Sequence, residues 1–588
     1  MKKIAAAFSA FMLLAGMASA QTMSDALTFG QNNYYGTART MAMGNAVTAI
    51  GGDLGTISIN PAGGAVSAFS QFGLTTGWST ASSVSAFAPS YDSYNENPVY
   101  SGSFSEGKTR MTIPNFGMNM YFETDGGDGI KGWNFGMLVN RSQTYTSKIS
   151  ASGREGHTSI TGALATAAGK MPGDILGSNS MYDSGYPWNP LCAYDCGLIN
   201  FNSDAGTYYG SAETVSFDGT EYSYEMLGWL RQDIGTTVLG SKNDIIFNYG
   251  FNFNDRLFFG MSLNCPLINY KYSEFYSETA MDTNDFPVTT EYWDNKTSSY
   301  VKGTPTKYES GVYKYNYVTE IGGVNAKLGL IWLPFDGLRI GAAFQTPTAY
   351  TINERWYIDE SVSFVDKSQN MSSHPDPAES EYDYRSPYNA NFGIAYTFGR
   401  TGMVSVDYEL TDFSVMKFSE SYEDEFYSYD DPFLVVNRLN KLFCGVQHSL
   451  RVGAELRVSP AFSVRAGMNL VTSPERHYTD TDGYSVYASD YDRFFDEYES
   501  GTYSIIKSSA KYSSDRCFSL SCGVGYSSPG SFFADVAVRR TTLPGQYYQA
   551  YSNYLSHDVA GVAYDIVSSS VKSARSLFDA VLTIGWRF

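Results

Sequence analysis

"FDAVLTIGWRF", residues 578–588, alternates along its whole length. Phe578, Ala580, Leu582, Ile584, Trp586 and Phe588 share one face, and Asp579, Val581, Thr583, Gly585 and Arg587 share the other. A period of two is a β-strand, because successive side chains point to opposite sides of the backbone. One apolar face against one polar face suits a strand between lipid and a wet lumen, but a half-buried strand of a soluble sandwich alternates in the same way. One strand therefore decides nothing, and repetition has to.

The pattern recurs. In "MVSVDYEL" Val404, Val406, Tyr408 and Leu410 oppose Ser405, Asp407 and Glu409. In "LRVGAELRV" the apolar set from Leu450 to Val458 opposes Arg451, Gly453, Glu455 and Arg457. "FSVRAGMNL" sets Phe462, Val464, Ala466, Met468 and Leu470 against Ser463, Arg465, Gly467 and Asn469. Charges of both signs crowd one face, together with Asp579 and Arg587 of the last strand. In a dry core they would be costly; lining an aqueous interior they pair or stay hydrated.

Strands are expected near 68–82, 110–124, 131–150, 241–254, 255–275, 313–335, 336–364, 380–399, 400–420, 445–459, 460–476, 512–528, 529–546 and 574–588. Short turns (the "DGGDG" stretch from Thr124, then 254–256, 334–337, 399–402, 459–461 and 528–530) alternate strictly with long polar connections. Segregation of connections by length, with an even strand count, marks a transmembrane antiparallel β-barrel of the outer-membrane type, here of about 14 strands. A terminal aromatic, Phe588, fits that class and its recognition by the barrel-assembly machinery.

Composition agrees. There are 47 Tyr and 37 Phe against 40 Lys+Arg, and 56 Gly. Such aromatics suit interfacial girdles, where a ring sits among acyl chains with its polar tip in water. No stretch supplies the roughly 20 apolar residues of a transmembrane helix. A formal charge of −20 argues against nucleic acid as a partner. Residues 1–20 read as a secretory signal: Lys2 and Lys3, an apolar run from Ile4 to Met17, and a small-residue cleavage site at Ala18-Ser19-Ala20. The destination of such a barrel is the bacterial outer membrane. Cys192 and Cys196, in "LCAYDC", are close enough for a loop disulfide and lack the spacing of a zinc site.

Residues 21–66 precede the first strand and 67–588 form the barrel, with a large external loop at about 151–240. The early stretch "GGDLGTISINPAGGA", 51–65, is too broken for a helix interior and too Gly-rich for a strand. It is either a periplasmic tail or a compact hatch folded into the lumen. A hatch needs small residues for close approach and a stiff Pro turn into strand one.

Residues 36–63, "GTARTMAMGNAVTAIGGDLGTISINPAG", resemble the N-terminal hatch of the outer-membrane long-chain fatty-acid transporter family (FadL/TodX). The matching positions are Ala38-Arg39, Gly44-Asn45-Ala46, Asp53 and Asn60-Pro61-Ala62. Stretches 113–122, 326–347 and 462–470 resemble its barrel strands. The resemblance implies a monomer without cofactor or metal, plugged by a hatch in which Arg39, Gly44, Asp53, Asn60, Pro61 and Ala62 serve gating. It implies uptake of hydrophobic small molecules such as fatty acids, in contact with outer-membrane lipid and lipopolysaccharide, through a wall gap where the third strand kinks. In that strand Arg141 and Gln143 fall in phase with Trp133, Phe135, Met137 and Val139. They mark either the opening or the point where the strand reaches the outer interface.

No Walker loop, GxSxG elbow or HExxH helix occurs, so an enzyme is not expected. Rival readings are a general porin, a haem or other lipid-like ligand receptor using one of five histidines, and a barrel acting as an assembly partner in a secretion pathway. The long loop keeps the last of these open. The acidic run 480–499 lacks the full calcium-loop pattern.

Overall fold

The computed structural model describes residues 22–92, 96–124, 129–169, 171, 187–217, 219, 222–294, 296–421, 431–481, 483–506, 510–551, 554–557 and 563–588. The expected signal segment and the centre of the "DGGDG" turn lie outside them. Fourteen antiparallel strands close into a barrel. In chain order they are β1 (Gln71–Ala88), β2 (Ser101–Glu123), β3 (Ile130–Glu155), β4 (Leu230–Phe253) and β5 (Leu257–Ala280). Next come β6 (Thr306–Phe335), β7 (Leu338–Gln345, resumed at Ala349–Phe364), β8 (Ala378–Arg385, resumed at Tyr388–Phe398) and β9 (Gly402–Asp412). The circuit ends with β10 (Val446–Arg457), β11 (Phe462–Thr472), β12 (Arg516–Ser527), β13 (Phe532–Gln549) and β14 (Ser570–Arg587). β14 pairs with β1 from Gln71↔Arg587 to Ala88↔Ser570, which closes the ring.

All described tight turns lie at one end. At Asn254 and Asp255 both central residues take positive φ, 51° and 54°, the twist that a two-residue hairpin needs. Phe588 lies at the same end, its backbone N–H and carbonyl both bonded to Ser70 at 3.0 Å. Outward-facing positions near this end form an apolar belt, with Phe135, Phe247, Leu328, Phe392, Val464 and Leu582 among its exposed members. Within the belt the paired strands leave no free edge to hydrocarbon, and such a barrel sits in the bacterial outer membrane. The strands β3 to β6 run 24 to 30 residues, far beyond the roughly 9–11 that cross a bilayer. Their outer halves continue as a paired wall outside the membrane. For this reason the large loop spans 156–229, narrower than the expected 151–240.

Residues 22–66 fold inside the ring. They form α1 (Met23–Gly30), an extended run, α2 (Ala38–Ala42) and α3 (Leu54–Ile57), and end in a single 3₁₀ turn, Pro61–Gly64. The stretch 51–65 thus carries two short turns where irregular chain was expected. Asp53 caps the first, accepting from the Gly55 N–H at 2.9 Å, and Asn60 caps the second, accepting from the Ala62 N–H at 3.0 Å. The Gly52 N–H bonds the Gly63 carbonyl at 3.0 Å, which folds the segment back on itself.

What lets this segment fit is glycine in the wall. Gly250, Gly260 and Gly329 stand in register on β4, β5 and β6, Gly341 and Gly393 on β7 and β8, and Gly453 and Gly467 on β10 and β11. A Cβ on Gly260 would fall 2.3 Å from the Pro61 carbonyl carbon, on Gly341 2.3 Å from the Thr48 carbonyl oxygen, and on Gly467 2.1 Å from the Gly44 nitrogen. Hatch backbone therefore rests directly on wall backbone. Gly44 answers from the hatch side: its φ of 64° is left-handed, and a Cβ there would fall 2.7 Å from the Met468 nitrogen.

Gly467→Ala should overpack this seat at a cost of about 1–3 kcal/mol. Amides of residues 43–66 should lose hydrogen-exchange protection while the barrel keeps its electrophoretic heat-modifiability. Gly322→Ala, whose Cβ would meet only Leu267 at 4.0 Å, should change neither.

Candidate functional site

The hatch is seated by three sets of side chains at the level of the glycines. The first is an asparagine cluster. Asn134 on β3 donates to Asn119 on β2 at 2.7 Å and to Asn248 on β4 at 2.8 Å. Asn119 in turn donates to the Gly64 carbonyl at 3.0 Å, and Asn248 to the Pro61 carbonyl at 2.9 Å. Asn60 itself donates to the carbonyls of Thr48 at 2.7 Å and Leu330 at 3.1 Å. Buried amides bonded in this way favour one orientation of the 3₁₀ turn, because each lost partner would leave a further polar group stranded beside the unpartnered Asn134 Oδ1.

The second set is ionic. Arg39 pairs with Glu455 at 2.9 Å, Glu455 with Arg465 at 2.6 Å, and Arg465 with Asp535 at 2.5 Å, a chain from hatch to β13. Arg539 pairs with Asp579 at 3.0 Å and donates to the Tyr34 carbonyl at 3.2 Å. Glu409 pairs with Arg451, whose guanidinium lies 5.1 Å from the Tyr34 ring centre. The third set binds hatch backbone singly. Asp407 accepts from the Thr48 N–H at 2.7 Å, Lys327 donates to the Ser58 carbonyl at 2.5 Å, and Arg339 to the Ile50 carbonyl at 2.7 Å.

The structure brings most of the expected residues together here. Arg39, Gly44, Asn60, Pro61 and Ala62 touch the wall, while Asp53 works within the hatch, accepting from the Thr37 hydroxyl at 2.6 Å. Asp407, Glu409, Arg451, Glu455, Arg465 and Asp579 face the lumen in the contacts above. Arg587 packs over the rings of Phe69 and Phe533 and reaches Ser527 at 3.3 Å. Arg457 stands exposed at the rim and joins none of the described ion pairs. Sequence reading missed the asparagines, Lys327, Arg539 and the glycine girdle. The available signal was an Asn-aromatic-Gly triplet repeated on neighbouring strands, "NFG" at 134–136 and "NYG" at 248–250.

The expected Cys192–Cys196 bridge is not formed: both thiols are free and buried. They sit one turn apart on α5 (Trp188–Asp195) and its cap, following α4 (Ile160–Ala168) in the long loop. One helical turn stacks their Cβ bonds side by side instead of crossing them as a disulfide requires. Burial and the neighbouring Glu360 push both thiols far above their ordinary range. Among the described residues no group of three His, Cys, Asp or Glu is set to hold a metal ion. His448 bonds Tyr408 at 2.6 Å on the outer face, and His374 bonds Asp359 at 3.0 Å.

On the external side of the hatch a cavity of about 1600 Å³ opens. Its walls are α1 and residues 31–34, β3 at 143–147, α6 (Leu434–Phe443), α7 (Ala488–Arg493), and aromatic side chains from β5 to β7. Tyr272 stacks on Tyr317 at 5.2 Å, Tyr270 meets Phe29 edge-on at 5.6 Å, and Trp188 meets Trp356 at 4.9 Å. Large apolar faces with a few polar tips make a container for a hydrophobic guest.

The wall is interrupted beside this cavity. The β2–β3 ladder runs from Glu123↔Gly132 to Asn115↔Asn140 and stops. Beyond it, among the described residues, β2 pairs only with β1 and β3 only with β4. The sequence supplies the cause on both sides. Pro114 has no N–H to give the ladder, and Ser142 is an extra residue bulged between Arg141 and Gln143. Two hatch amides dock on that bulge: Asn33 N–H reaches the Ser142 carbonyl at 2.6 Å, and Tyr35 N–H the Arg141 carbonyl at 3.1 Å. Arg141 and Gln143 thus flank the break. Across it Lys148 and Ser150 reach Glu106 at 2.7 and 2.8 Å, Arg110 on β2 donates to the Gly240 carbonyl on β4 at 3.0 Å, and the Ser83 hydroxyl on β1 donates to the Lys148 carbonyl. Exposed Trp78, Met111 and Ile113 line its outer rim.

No protein-family model and no curated protein matches the chain. Among solved structures it is similar to a Pseudomonas aeruginosa FadL homologue, at 11% identity and TM-score 0.45, over 95% of this chain and 99% of that one. It is also similar to the Pseudomonas putida toluene transporter TodX, at 11% identity and TM-score 0.40, over 95% and 99%. A third is the CymD monoaromatic hydrocarbon channel, at 10% identity and TM-score 0.38, over 93% and 97%.

The cavity mouth carries a pH-sensitive group. Burial and nearby Asp515 push the Glu475 carboxyl up to about 7. A carboxyl that holds its proton better folded than unfolded favours the folded mouth at low pH. That contribution is complete below about 4.3 and is lost as pH rises through 7. Exchange protection of residues 473–515 should therefore fall across that interval, and Glu475→Gln should flatten the fall.

Proposed function

We propose that this barrel takes up hydrophobic small molecules passively: they enter the aromatic cavity from outside, and the break between β2 and β3 releases them sideways into the membrane. The observation that carries the reading is the place of the break. Residues 143–147 of β3 line the cavity and lie just beyond the last β2–β3 pair, and Met111 and Ile113 on the facing strand point outward. A guest in the cavity lies beside this seam, whose outer rim of Trp78, Met111 and Ile113 is apolar and exposed. The hatch supports the same direction. Ion pairs, amide clamps and backbone contacts fill the lumen below the cavity, so the axial path is blocked for a hydrophilic solute and a general porin is disfavoured.

The contacts of Arg39, Gly44, Asn60, Pro61 and Ala62 with the wall support a gating role for the hatch. Asn33 and Tyr35 tie the hatch to the bulge, so a shift of α1 by a guest pulls on the strand beside the seam. The guest's own concentration gradient supplies the driving force. The resemblance of residues 36–63 to the FadL/TodX hatch supports the same class of guest, long-chain fatty acids or similar. The same resemblance supports a monomer in contact with lipid and lipopolysaccharide, with the terminal Phe588 as its signal for insertion.

Restoring the wall tests the route. Deleting Ser142 and replacing Pro114 by Val returns the register and the missing donor, so β2 and β3 should pair further outward. Uptake of a radiolabelled fatty acid or aromatic hydrocarbon by whole cells should fall to that of cells lacking the protein, with barrel assembly unchanged. Undiminished uptake by a well-assembled variant would direct the route through the periplasmic end.

A further inference from the structure

The cavity is not uniformly apolar; apart from the acidic residues of its mouth, such as Glu475 and Asp515, two polar poles stand out on its lining, a carboxyl cluster and a guanidinium. At one stand Asp25 and Glu274, both on the lining, with Glu354 behind them. Their hydrogen-bond donors are neutral. Asp25 accepts from Thr22 N–H at 2.9 Å, Thr22 hydroxyl at 2.7 Å and Tyr317 at 3.2 Å. Glu274 accepts from Tyr272 at 3.1 Å and from Tyr548, and Glu354 from Tyr382 at 3.1 Å. None of the three belongs to a described ion pair. Tyr315 lies in the field of all three, and its ring tilts against Trp356 at 6.4 Å. Carboxylates ringed by Tyr272, Tyr315, Tyr317 and Trp356 are the chemistry that holds an organic ammonium group, by charge and by the ring faces.

At the other pole is Arg575 on β14. The other arginines on the lining are already engaged: Arg451 holds Glu409, and Arg476 donates to the carbonyls of Leu442 at 2.6 Å and Lys441 at 2.8 Å. Among the described residues Arg575 reaches only the Pro544 carbonyl at 3.4 Å, and its Nε, sealed from solvent, has no partner there. A guanidinium left with an unmatched donor in an apolar wall is a place for an anionic oxygen. Asp25, Glu274, Tyr270 and Arg575 all line the same cavity, so the two poles face one space.

We propose that the preferred guest is a zwitterionic single-chain amphiphile, with its anionic group on Arg575, its ammonium in the Asp25–Glu274 aromatic pole, and its chain along the remaining aromatic wall. This rests on the uptake reading above and narrows its substrate class. A fatty acid satisfies one pole only.

The test is binding to the purified full-length protein in an uncharged maltoside detergent. The probes share one chain length: lysophosphatidylcholine, an alkyl betaine, a fatty acid, an alkyltrimethylammonium and a fatty alcohol. Lysophosphatidylcholine should bind about tenfold or more tightly than either singly charged probe. The betaine carries the two charges in the opposite order along the chain: equal binding supports zwitterions in general, weaker binding a phosphocholine head, and both keep the proposal. Arg575→Gln should weaken lysophosphatidylcholine and the fatty acid and spare the ammonium probe. Asp25→Asn with Glu274→Gln should weaken lysophosphatidylcholine and the ammonium probe and spare the fatty acid. Equal affinity for every head, or a fatty acid that binds best, overturns the two-pole proposal while hydrophobic uptake stands. Failure of all probes, the alcohol included, overturns both. The comparison among probes on the unaltered protein decides the matter even if a variant does not assemble.

Discussion

Direct contact between hatch backbone and wall backbone is the constraint on which the rest of this structure depends. A ring of fourteen strands encloses more space than its own side chains fill, and here the space is closed by a second layer of chain. That layer sits so near the wall that Gly260, Gly329, Gly341, Gly453 and Gly467 have no room for a Cβ. Once backbone meets backbone, its polar groups need partners, because a buried N–H or carbonyl left alone is costly. The asparagines of β2, β3 and β4, together with Asp407, Lys327 and Arg339, are those partners. The position of the floor then sets the cavity above it.

The ionic chain from Arg39 to Asp535 has a different character. Buried ion pairs add little net stability compared with good apolar packing, yet removing one member strands the others. Such a chain makes one seating of the hatch far better than its neighbours. The seating is also coupled to the wall break through Asn33 and Tyr35, which hold the carbonyls of Ser142 and Arg141. Plug, cavity and seam therefore form one connected arrangement.

The barrel was legible in the sequence because period-two alternation and the segregation of turn lengths are local signals. The terminal strand 578–588, the charged inward faces of 404–410, 450–458 (Arg457 at the rim apart) and 462–470, and the described tight turns stand where the pattern places them. The hatch was legible through its small residues and its Asn-Pro-Ala turn. Less visible were features that depend on register between strands distant in sequence. Gly453 and Gly467 look like ordinary interruptions until they stand side by side under Gly44. The wall break needed Pro114 and Ser142 to be read together, from strands whose shared ladder ends only once the pairing is known. The Cys192–Cys196 expectation failed because a helical turn, not a loop, separates the two thiols.

The central claim is that a guest passes from the cavity through the β2–β3 seam while the hatch keeps the axial path closed. The most direct measurement is photolabelling. An alkyl diazirine is supplied from outside to the protein reconstituted in outer-membrane lipid, and the labelled peptides are then mapped. The account predicts label on residues 143–147 of β3 and on β2 outward of Pro114, with none on the turns at 254–256 and 399–402. Label concentrated on those turns and on the underside of the hatch, with the seam unlabelled, would contradict it.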